Sequence, residues 1–221
     1  MNTRKYRILM FSPAFAPFAN AEALVNSKLA LAMLASGWEI DIISRHLVGL
    51  SDYDYGSAWV EPWLPLRAYT HEVDYPVGNY LIRMYDTLRC SIQMRYFLEG
   101  SRWAKRAYAL GAELHKRKHY DIILSRAFPD FAHLPALLLA KIIRIPWVAN
   151  WNDPWAFVYE NNGSTDLRKN LGALHSRFCS DVAASATRLT FPSELMREKM
   201  AACLPEGTYE KSAVVPHVCL P

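Results

Sequence analysis

Hydrophobic residues along the chain fall into two patterns, short apolar runs and longer stretches with helical spacing. The first run, Ile8–Phe11, precedes a helical stretch over 21–35 and a second run, Ile40–Ile43. A short apolar run closed by turn residues is typical of a buried parallel strand. Asn20 stands where a helix cap is expected, and Gly37 where a helix-ending glycine is expected. The pattern predicts a strand–helix–strand unit, with an apolar helix face made by Ala23, Leu24, Leu29, Leu31, Ala32, Leu34 and Ala35.

The same opening residues also resemble a secretory signal. A basic start and an apolar segment precede the small residues Ala19-Asn20-Ala21. However, Ser12, Pro13 and Pro17 interrupt the apolar segment, and proline blocks the continuous helix that a signal forms. We therefore interpret Ile8–Phe11 as the first strand of the folded protein. Cleavage of a signal peptide before Ala21 would remove this strand.

Strands and helices continue to alternate in the second half of the chain. Apolar runs predict strands at 122–124, 146–151, 188–191 and 212–216. Helical spacing predicts helices at 129–145, 166–185 and 194–202. Strands that alternate with helices favour an α/β fold with a Rossmann-like, doubly wound and mostly parallel sheet, which carries helices on both faces.

The middle of the chain is less regular. Residues 46–80 are rich in aromatic residues and proline, and we interpret them as a long excursion with one short strand at Ala58–Val60. Residues 81–118 lack proline and have helical spacing, and basic residues outnumber acidic ones nine to three between Arg83 and Lys118. Two interpretations stay open: a helix packed on the sheet with a solvated basic face, and a helix that binds an anionic membrane surface.

Composition narrows the class of protein. The 221 residues, 52% of them hydrophobic, suit one large domain or two small ones. No apolar run reaches the roughly 20 residues that a membrane span needs. A net charge of +4 does not imply nucleic acid as a partner, and no nucleic-acid-binding module is recognisable. Reduced thiols in a cytoplasmic protein are expected, because no C-x-x-C spacing links Cys90, Cys179, Cys203 and Cys219.

Polar residues follow the predicted strands, at the edge where an open parallel sheet binds ligands. The first loop contains no G-x-G-x-x-G sequence and no P-loop lysine motif is present, which disfavours both common nucleotide sites. The polar residues expected at this edge are Asn20, Glu22, Arg126, Asp130, Asn152, Asp153 and Ser193.

Two candidate catalytic residues have alternative structural interpretations. Asp153 followed by Pro154 can be a helix-start pair, a role compatible with catalysis. His133 can be a solvent-exposed residue in the first turn of its helix, or a catalytic base.

The candidate binding residues also leave alternatives open. Asn20 can cap its helix or contact a ligand. Ser193 caps its helix in either case, and the amide groups of that helix terminus suit an anion. We expect packing for Trp147, Trp151 and Trp155. Trp155 lies past its strand and is the best of the three for the alternative, stacking on a sugar.

Several stretches together resemble the N-terminal domain of GT-B glycosyltransferases of the family 4 type, which build bacterial surface polysaccharides and glycolipids. The likeness covers residues 7–45 and 120–218 well and the residues between them poorly. It rests on "FSPAFAPFANAEALVNSKLALAMLASGWEIDIIS", "YDIILSRAFPDFAHLPALLLAKIIRIPWVANWNDPW", "SDVAASATRLTFPSELMREKMAA" and "KSAVVPHV". The chain departs from the family where Ala19-Asn20-Ala21 replaces loop glycines and where His217-Val218 replaces Asn-Gly.

The resemblance implies a retaining transfer of a sugar from a nucleotide diphosphate sugar to a glycan or lipid-linked acceptor hydroxyl. It implies no cofactor besides this donor substrate, and no metal site is assigned. Residues 1–221 would form the acceptor-side domain, and a donor-binding domain absent from this chain would complete the enzyme. We expect the chain alone to be inactive, and the enzyme to be cytoplasmic, at the inner face of the cell membrane.

The resemblance also suggests roles for single residues. Asp153 would orient or deprotonate the acceptor, with Arg126 or His133 assisting. The substrate-binding candidates are Asn20, Glu22, Asn152, Trp155 and Ser193. The alternative from another class is a non-catalytic Rossmann-like module that binds a glycan or nucleotide or docks on a partner.

Overall fold

The computed structural model describes residues 5–18, 20–48, 61–76, 80–127, 129–153 and 166–217. The strands are β1 (Arg7–Phe11), β2 (Glu39–Val48), β3 (Thr70–Pro76), β4 (Ile122–Ala127), β5 (Trp147–Trp151), β6 (Arg188–Phe191) and β7 (Ser212–Val214). The α-helices are α1 (Ala21–Ala35), α2 (Tyr80–Met94), α3 (Ser101–Lys118), α4 (His133–Ile143), α5 (Asp166–Ser185) and α6 (Glu194–Cys203). Short 3-10 helices span Leu64–Tyr69 and Asp130–Ala132.

The described strands form one parallel sheet in the order β3-β2-β1-β4-β5-β6-β7. β1 pairs with β2 on one side and with β4 on the other, so the strand order reverses between β1 and β4. This order confirms the predicted Rossmann-like α/β fold and places the switch point of the sheet between these two strands.

Alternate side chains of β4 enter two different hydrophobic cores. Ile123 packs in the larger core, which also contains the fully buried Trp147 and Trp151. Leu124 packs in the smaller core on the other face, with Ile8. Because side chains alternate along a strand, neighbouring residues at the end of β4 also point to opposite faces of the sheet. The packing role predicted for the two tryptophans is confirmed.

The inward face of α1 differs from the predicted one. Its buried residues are Ala23, Asn26, Ser27 and Ala30, whereas Leu24 is 42% exposed. The reason is the loop after β1, whose backbone groups need partners. Ser27 Oγ accepts from the amide of Ala16 at 3.1 Å, and Asn26 Nδ2 donates to the carbonyl of Ala14 at 2.9 Å. Polar positions therefore replace leucines where the helix meets this loop.

The irregular middle of the chain contributes a strand that the pattern does not reveal. Instead of a long excursion, the chain forms the 3-10 helix Leu64–Tyr69 and the edge strand β3. Within the described residues β3 pairs only with β2, and Val73 is the one side chain between 70 and 75 that is buried. An edge strand of this kind needs no apolar run. The predicted strand at Ala58–Val60 lies outside the described residues.

The predicted helical stretch over 81–118 is confirmed, but it is divided into α2 and α3. Arg95 and Gly100 adopt positive φ angles of 58° and 83° in the connecting segment. A Cβ at Gly100 would lie 2.6 Å from the ring of Phe131, so both the backbone conformation and the close approach require glycine there.

No helix within the described ranges is long and apolar enough to cross a membrane. Three of the four cysteines are described, and all three are free thiols: Cys90 and Cys179 are buried, and Cys203 is exposed. Burial raises the pKa of the Cys90 thiol to about 11.

Gly111 of α3 allows the helix to pack closely on β1. A Cβ at this position would lie 2.8 Å from the ring of Phe11 and 3.2 Å from Leu9, and both of these side chains are fully buried. Alanine is favoured over glycine by about 1 kcal/mol in a helix interior, but overpacking a core costs about 1–3 kcal/mol. We expect Gly111→Ala to lower the free energy of unfolding in urea by about 1 kcal/mol. Equal or higher stability would show that the contact can relax.

Candidate functional site

Four polar side chains meet at the carboxyl ends of the central strands. Glu22 and Asn26 come from α1, Arg126 from the end of β4, and Asn152 from the residue that follows β5. Asn26, Arg126 and Asn152 are 0%, 4% and 8% exposed, and Glu22 is partly exposed. We call these four residues the switch-point network, because they lie where the strand order reverses.

Two asparagines connect the charges of the network. Arg126 donates from Nε to Asn26 Oδ1 at 2.7 Å and from Nη2 to Asn152 Oδ1 at 3.4 Å. The amide nitrogens then donate to Glu22 Oε1, at 3.2 Å from Asn26 and at 2.5 Å from Asn152. Each asparagine thus accepts a hydrogen from the guanidinium and donates one to the carboxylate. This arrangement satisfies buried polar groups that would otherwise be costly.

Burial shifts the proton affinity of both charged groups. It lowers the pKa of Arg126 to about 10, an effect that the nearby Glu22 opposes, so the guanidinium stays protonated at neutral pH. Burial also raises the pKa of Glu22, while hydrogen bonds from the two asparagines and the charge of Arg126 act against the rise. A carboxyl group with a raised pKa at a ligand-binding edge is a candidate for proton exchange with a ligand.

The cap of α1 sets the position of two network residues. Asn20 Oδ1 accepts from the amide of Ala23 at 2.7 Å, which confirms the predicted capping role. Because the helix starts at Ala21, Glu22 and Asn26 lie one turn apart on the same side of α1. Ser12, in the loop before the helix, donates to the carbonyl of Ala14 at 2.9 Å, and the same carbonyl accepts from Asn26 of the network.

Asp153 brings a second carboxylate to this edge. It is exposed and directly follows Asn152, and its negative charge contributes to the raised pKa of Glu22. Asp153 therefore lies near the network and open to solvent. Pro154 and Trp155, which the sequence places beside it, lie outside the described residues.

His133 lies on the opposite face of β4 from Arg126. Its Nδ1 is 2.7 Å from Ser125 Oγ, and the same oxygen accepts from Trp147 Nε1 at 2.7 Å. The serine hydroxyl thus links the indole of Trp147 to the imidazole of His133. Among the described residues, Nε2 has no hydrogen-bond partner. The ring is fully buried, with its centroid 4.6 Å from that of Trp151.

This environment makes His133 a core residue. Burial lowers the pKa of His133 to about 4, and the charge of Arg126 acts in the same direction. The interpretation as a solvent-exposed first-turn residue is therefore wrong. Its partners Ser125 and Trp147 are 8 and 14 positions away in the sequence, so no local pattern indicates their contact.

Two further candidates have partners of their own. Asp130 lies beside His175 of α5, with Oδ2 and Nε2 3.2 Å apart. Ser193 lies after β6, one strand beyond Asn152, and its Oγ accepts from the amide of Met196 at 3.3 Å. This bond confirms the predicted cap of α6.

The sequence analysis missed two polar groups at this edge. Asn26 occupies an inward position of α1. A polar residue on a helix face with small apolar neighbours was the sequence signal that could have identified it. Arg45, near the end of β2, places its guanidinium 5.8 Å from the ring centres of both Phe18 and Tyr75. Burial lowers its pKa, although the charge of Glu99 opposes this. Its contact with Phe18 puts a second cation beside the loop after β1.

No protein-family model matches the sequence, and no curated protein matches it. Solved structures of similar shape include a protein from Listeria monocytogenes assigned as a UDP-N-acetylglucosamine 2-epimerase, with a TM-score of 0.49, 12% identity, and coverage of 90% of this chain and 42% of that one. MurG from Acinetobacter baumannii has a TM-score of 0.45 and 11% identity, with coverage of 98% and 47%. The spinosyn rhamnosyltransferase SpnG, complexed with thymidine diphosphate, has a TM-score of 0.41 and 13% identity, with coverage of 97% and 50%.

The chain thus spans half or less of the length of these three proteins. They include glycosyltransferases and an epimerase-type protein, but TM-scores below 0.5 and identities of 11–13% support no conclusion about function. The order and direction of the strands themselves define the fold. The family 4 resemblance stays a prediction.

Arg126 should be the residue on which the stability of the network depends. Arg126→Met leaves both asparagine oxygens without their donor and removes the positive charge beside the Glu22 carboxylate, so we expect the free energy of unfolding to fall by about 3 kcal/mol. Arg126→Lys is the matched control. It keeps the positive charge but not the planar N–H donors of the guanidinium, and we expect an intermediate fall in the free energy of unfolding. Urea denaturation followed by circular dichroism measures both, and a variant Arg126→Met as stable as the wild type would contradict the network's role.

His133 should make stability depend on pH. Its pKa in the folded protein is about 4, below the usual 6.5, so the unfolded chain binds more protons between these values. The free energy of unfolding should therefore fall as the pH drops from 6.5 towards 4, by at most about 1.4 kcal/mol per pH unit. His133→Asn, which keeps a hydrogen-bonding side chain beside Ser125, should lack this component. Denaturation curves at several pH values test this, and a stability difference between the two proteins that stays constant over this range would refute it.

Proposed function

We propose that this chain is the acceptor-side domain of a glycosyltransferase, which transfers a sugar from a nucleotide diphosphate sugar to the hydroxyl of a glycan or lipid-linked acceptor with retention of configuration. The observation that carries the proposal is the switch-point network with the exposed Asp153 beside it. The "WNDPW" segment that contains Asp153 is also the most specific part of the family 4 resemblance. On that resemblance, a second domain outside this chain would bind most of the donor.

The network suits a reaction in which an acceptor must be held and deprotonated. An open parallel sheet binds its ligands at the switch point, where Asp153 is the most accessible carboxylate of the group described above. In the proposed step, Asp153 accepts the proton of the acceptor hydroxyl as the acceptor oxygen bonds to the anomeric carbon on the face from which the diphosphate departs, so that the configuration is retained. The bond from that carbon to the diphosphate oxygen breaks, and the nucleoside diphosphate leaves with the electron pair.

The other residues have supporting roles in this proposal. Glu22 and Asn152 border the acceptor site, and the cap residues Asn20 and Ser193 lie on either side of it along the sheet edge. Arg126 is a positioning residue, because its buried guanidinium holds Asn152 and, through the asparagines, Glu22. His133 has no contact with substrate in this proposal, since it is buried on the other face of β4.

Asp153→Asn tests the proposal in the protein that contains this chain together with its donor-binding domain. We expect kcat to fall about 100-fold or more, the usual effect of removing a general base. Because Asp153 is exposed, the thermal unfolding midpoint should not change. The readout is the release of nucleoside diphosphate from UDP-, GDP- and TDP-sugars in the presence of candidate acceptors.

Glu206→Gln is the matched control, since Glu206 is an exposed carboxylate in the turn after α6. This variant should retain full activity. Unchanged turnover in Asp153→Asn would remove Asp153 from the mechanism. Absence of nucleoside diphosphate release from the wild type with every donor would overturn the proposed reaction itself.

A further inference from the structure

The helix α2 turns its apolar side towards solvent. Leu81, Met84, Tyr85, Leu88 and Ile92 follow the helical spacing i, i+3, i+4, i+7 and i+11, and each is at least 50% exposed. On the opposite side of the helix, Asp86 and Cys90 are buried. We call the five exposed residues the outward stripe. A helix at the surface of a globular protein normally buries such a stripe against the core.

Specific contacts of the buried side fix this orientation. Asp86 Oδ1 accepts from Ser101 Oγ of α3 at 2.7 Å, and Cys90 packs in the larger core. Arg83 donates twice to Glu99, at 2.7 Å and 2.9 Å. These contacts hold one side of α2 against the protein, and the apolar side chains on its other side remain exposed to solvent. A contiguous exposed apolar patch of this kind marks an interaction surface.

The surroundings of the outward stripe are strongly basic. Residues 80–106 contain six basic and two acidic residues, a net charge of +4 that equals the net charge of the whole chain. Both acidic residues are engaged, Asp86 with Ser101 and Glu99 with Arg83. Arg89 and Arg95 are exposed, and Arg102 lies over the ring of Tyr85 at 5.9 Å. The partner of this surface must therefore combine negative charge with an apolar interior.

We propose that the outward stripe docks the protein on the surface of an anionic lipid bilayer, together with the basic residues of segment 80–106. These are Arg83, Arg89, Arg95, Arg102, Lys105 and Arg106, which we call the basic border. An exposed apolar helix face flanked by arginine and lysine is the arrangement by which a helix lies in the membrane interface. Negatively charged headgroups attract the border, while the stripe enters the boundary of the acyl chains. A second copy of the chain fits less well, because a symmetric contact would bring two surfaces of charge +4 together.

The sequence left two interpretations open for residues 81–118, packing on the sheet and binding to a membrane. We assign each of them to a different helix. α3 buries Trp103, Ala104, Ala107, Gly111 and Leu114, so it packs on the sheet with a solvated basic face. α2 carries the proposed membrane surface. This docking does not depend on the proposed transferase reaction, and the two can fail separately.

Co-sedimentation with vesicles tests the proposal. We expect the wild-type chain to bind vesicles of phosphatidylcholine mixed with phosphatidylglycerol at low salt, and to bind less at high salt or to phosphatidylcholine alone. Leu88→Asp and Ile92→Asp should each lower the partition coefficient about tenfold or more, since each removes a side chain that enters the bilayer. Both residues are exposed, 55% and 72%, so circular dichroism should show an unchanged fold.

Leu195→Asp in α6 and Ile142→Asp in α4 are matched controls, because these residues are 61% and 64% exposed on other helices. Their vesicle binding should equal that of the wild type. The double variant Arg89→Glu/Lys105→Glu should bind vesicles with phosphatidylglycerol no better than vesicles of phosphatidylcholine alone, and its binding to the latter should equal that of the wild type. No binding to anionic vesicles at low salt, or equal loss in the control variants, would overturn the proposal. A wild-type dimer in light scattering that Leu88→Asp converts to a monomer would assign the stripe to a second copy instead.

Discussion

The structure depends on one buried cation, the guanidinium of Arg126 at the end of β4. An unpaired charge in this position would be prohibitively costly, so α1 and the segment after β5 must each present an oxygen to it. Asn26 and Asn152 supply these oxygens, and both pass hydrogens on to Glu22. The helix after β1, the central strand and the segment after β5 are thereby held in register at the edge where a ligand would bind. The carboxylate that completes the arrangement is the one group of the four that reaches solvent.

The alternation of side chains along β4 separates two chemical environments within one residue of each other. Arg126 faces α1 and a polar network, whereas Ser125 faces His133 and the two buried tryptophans. The same histidine would be a plausible base if it stood on the other face. Burial keeps His133 neutral and makes it part of the core. The face of β4 on which a side chain lies therefore decides whether it can contact a ligand, and the residue type alone does not.

Much of the fold could be predicted because local patterns determine it. The first strand–helix–strand unit, the bounds of α5 at 166–185, and the caps Asn20 and Ser193 are all readable from spacing and residue type. β3 could not be predicted, because this edge strand, in which Val73 is the one buried side chain between residues 70 and 75, has almost no apolar pattern. The inward face of α1 and the burial of His133 depend on contacts with residues distant in sequence. The orientation of α2 is a different case: periodicity shows that a helix has two unlike faces but not which of them meets the protein.

The small inward residues of α1 have a consequence for engineering this domain. Ala23, Ser27 and Ala30 are small and buried, so the helix approaches the rest of the protein closely at these positions. Hydrogen bonds of Asn26 and Ser27 to the loop after β1 set its position together with the packing of Leu29, Leu31, Met33 and Leu34 on the smaller core. Any larger residue at these three positions would displace Glu22 and Asn26 together, since both belong to the same rigid helix. Random libraries directed at this edge of the sheet should therefore keep these three positions small.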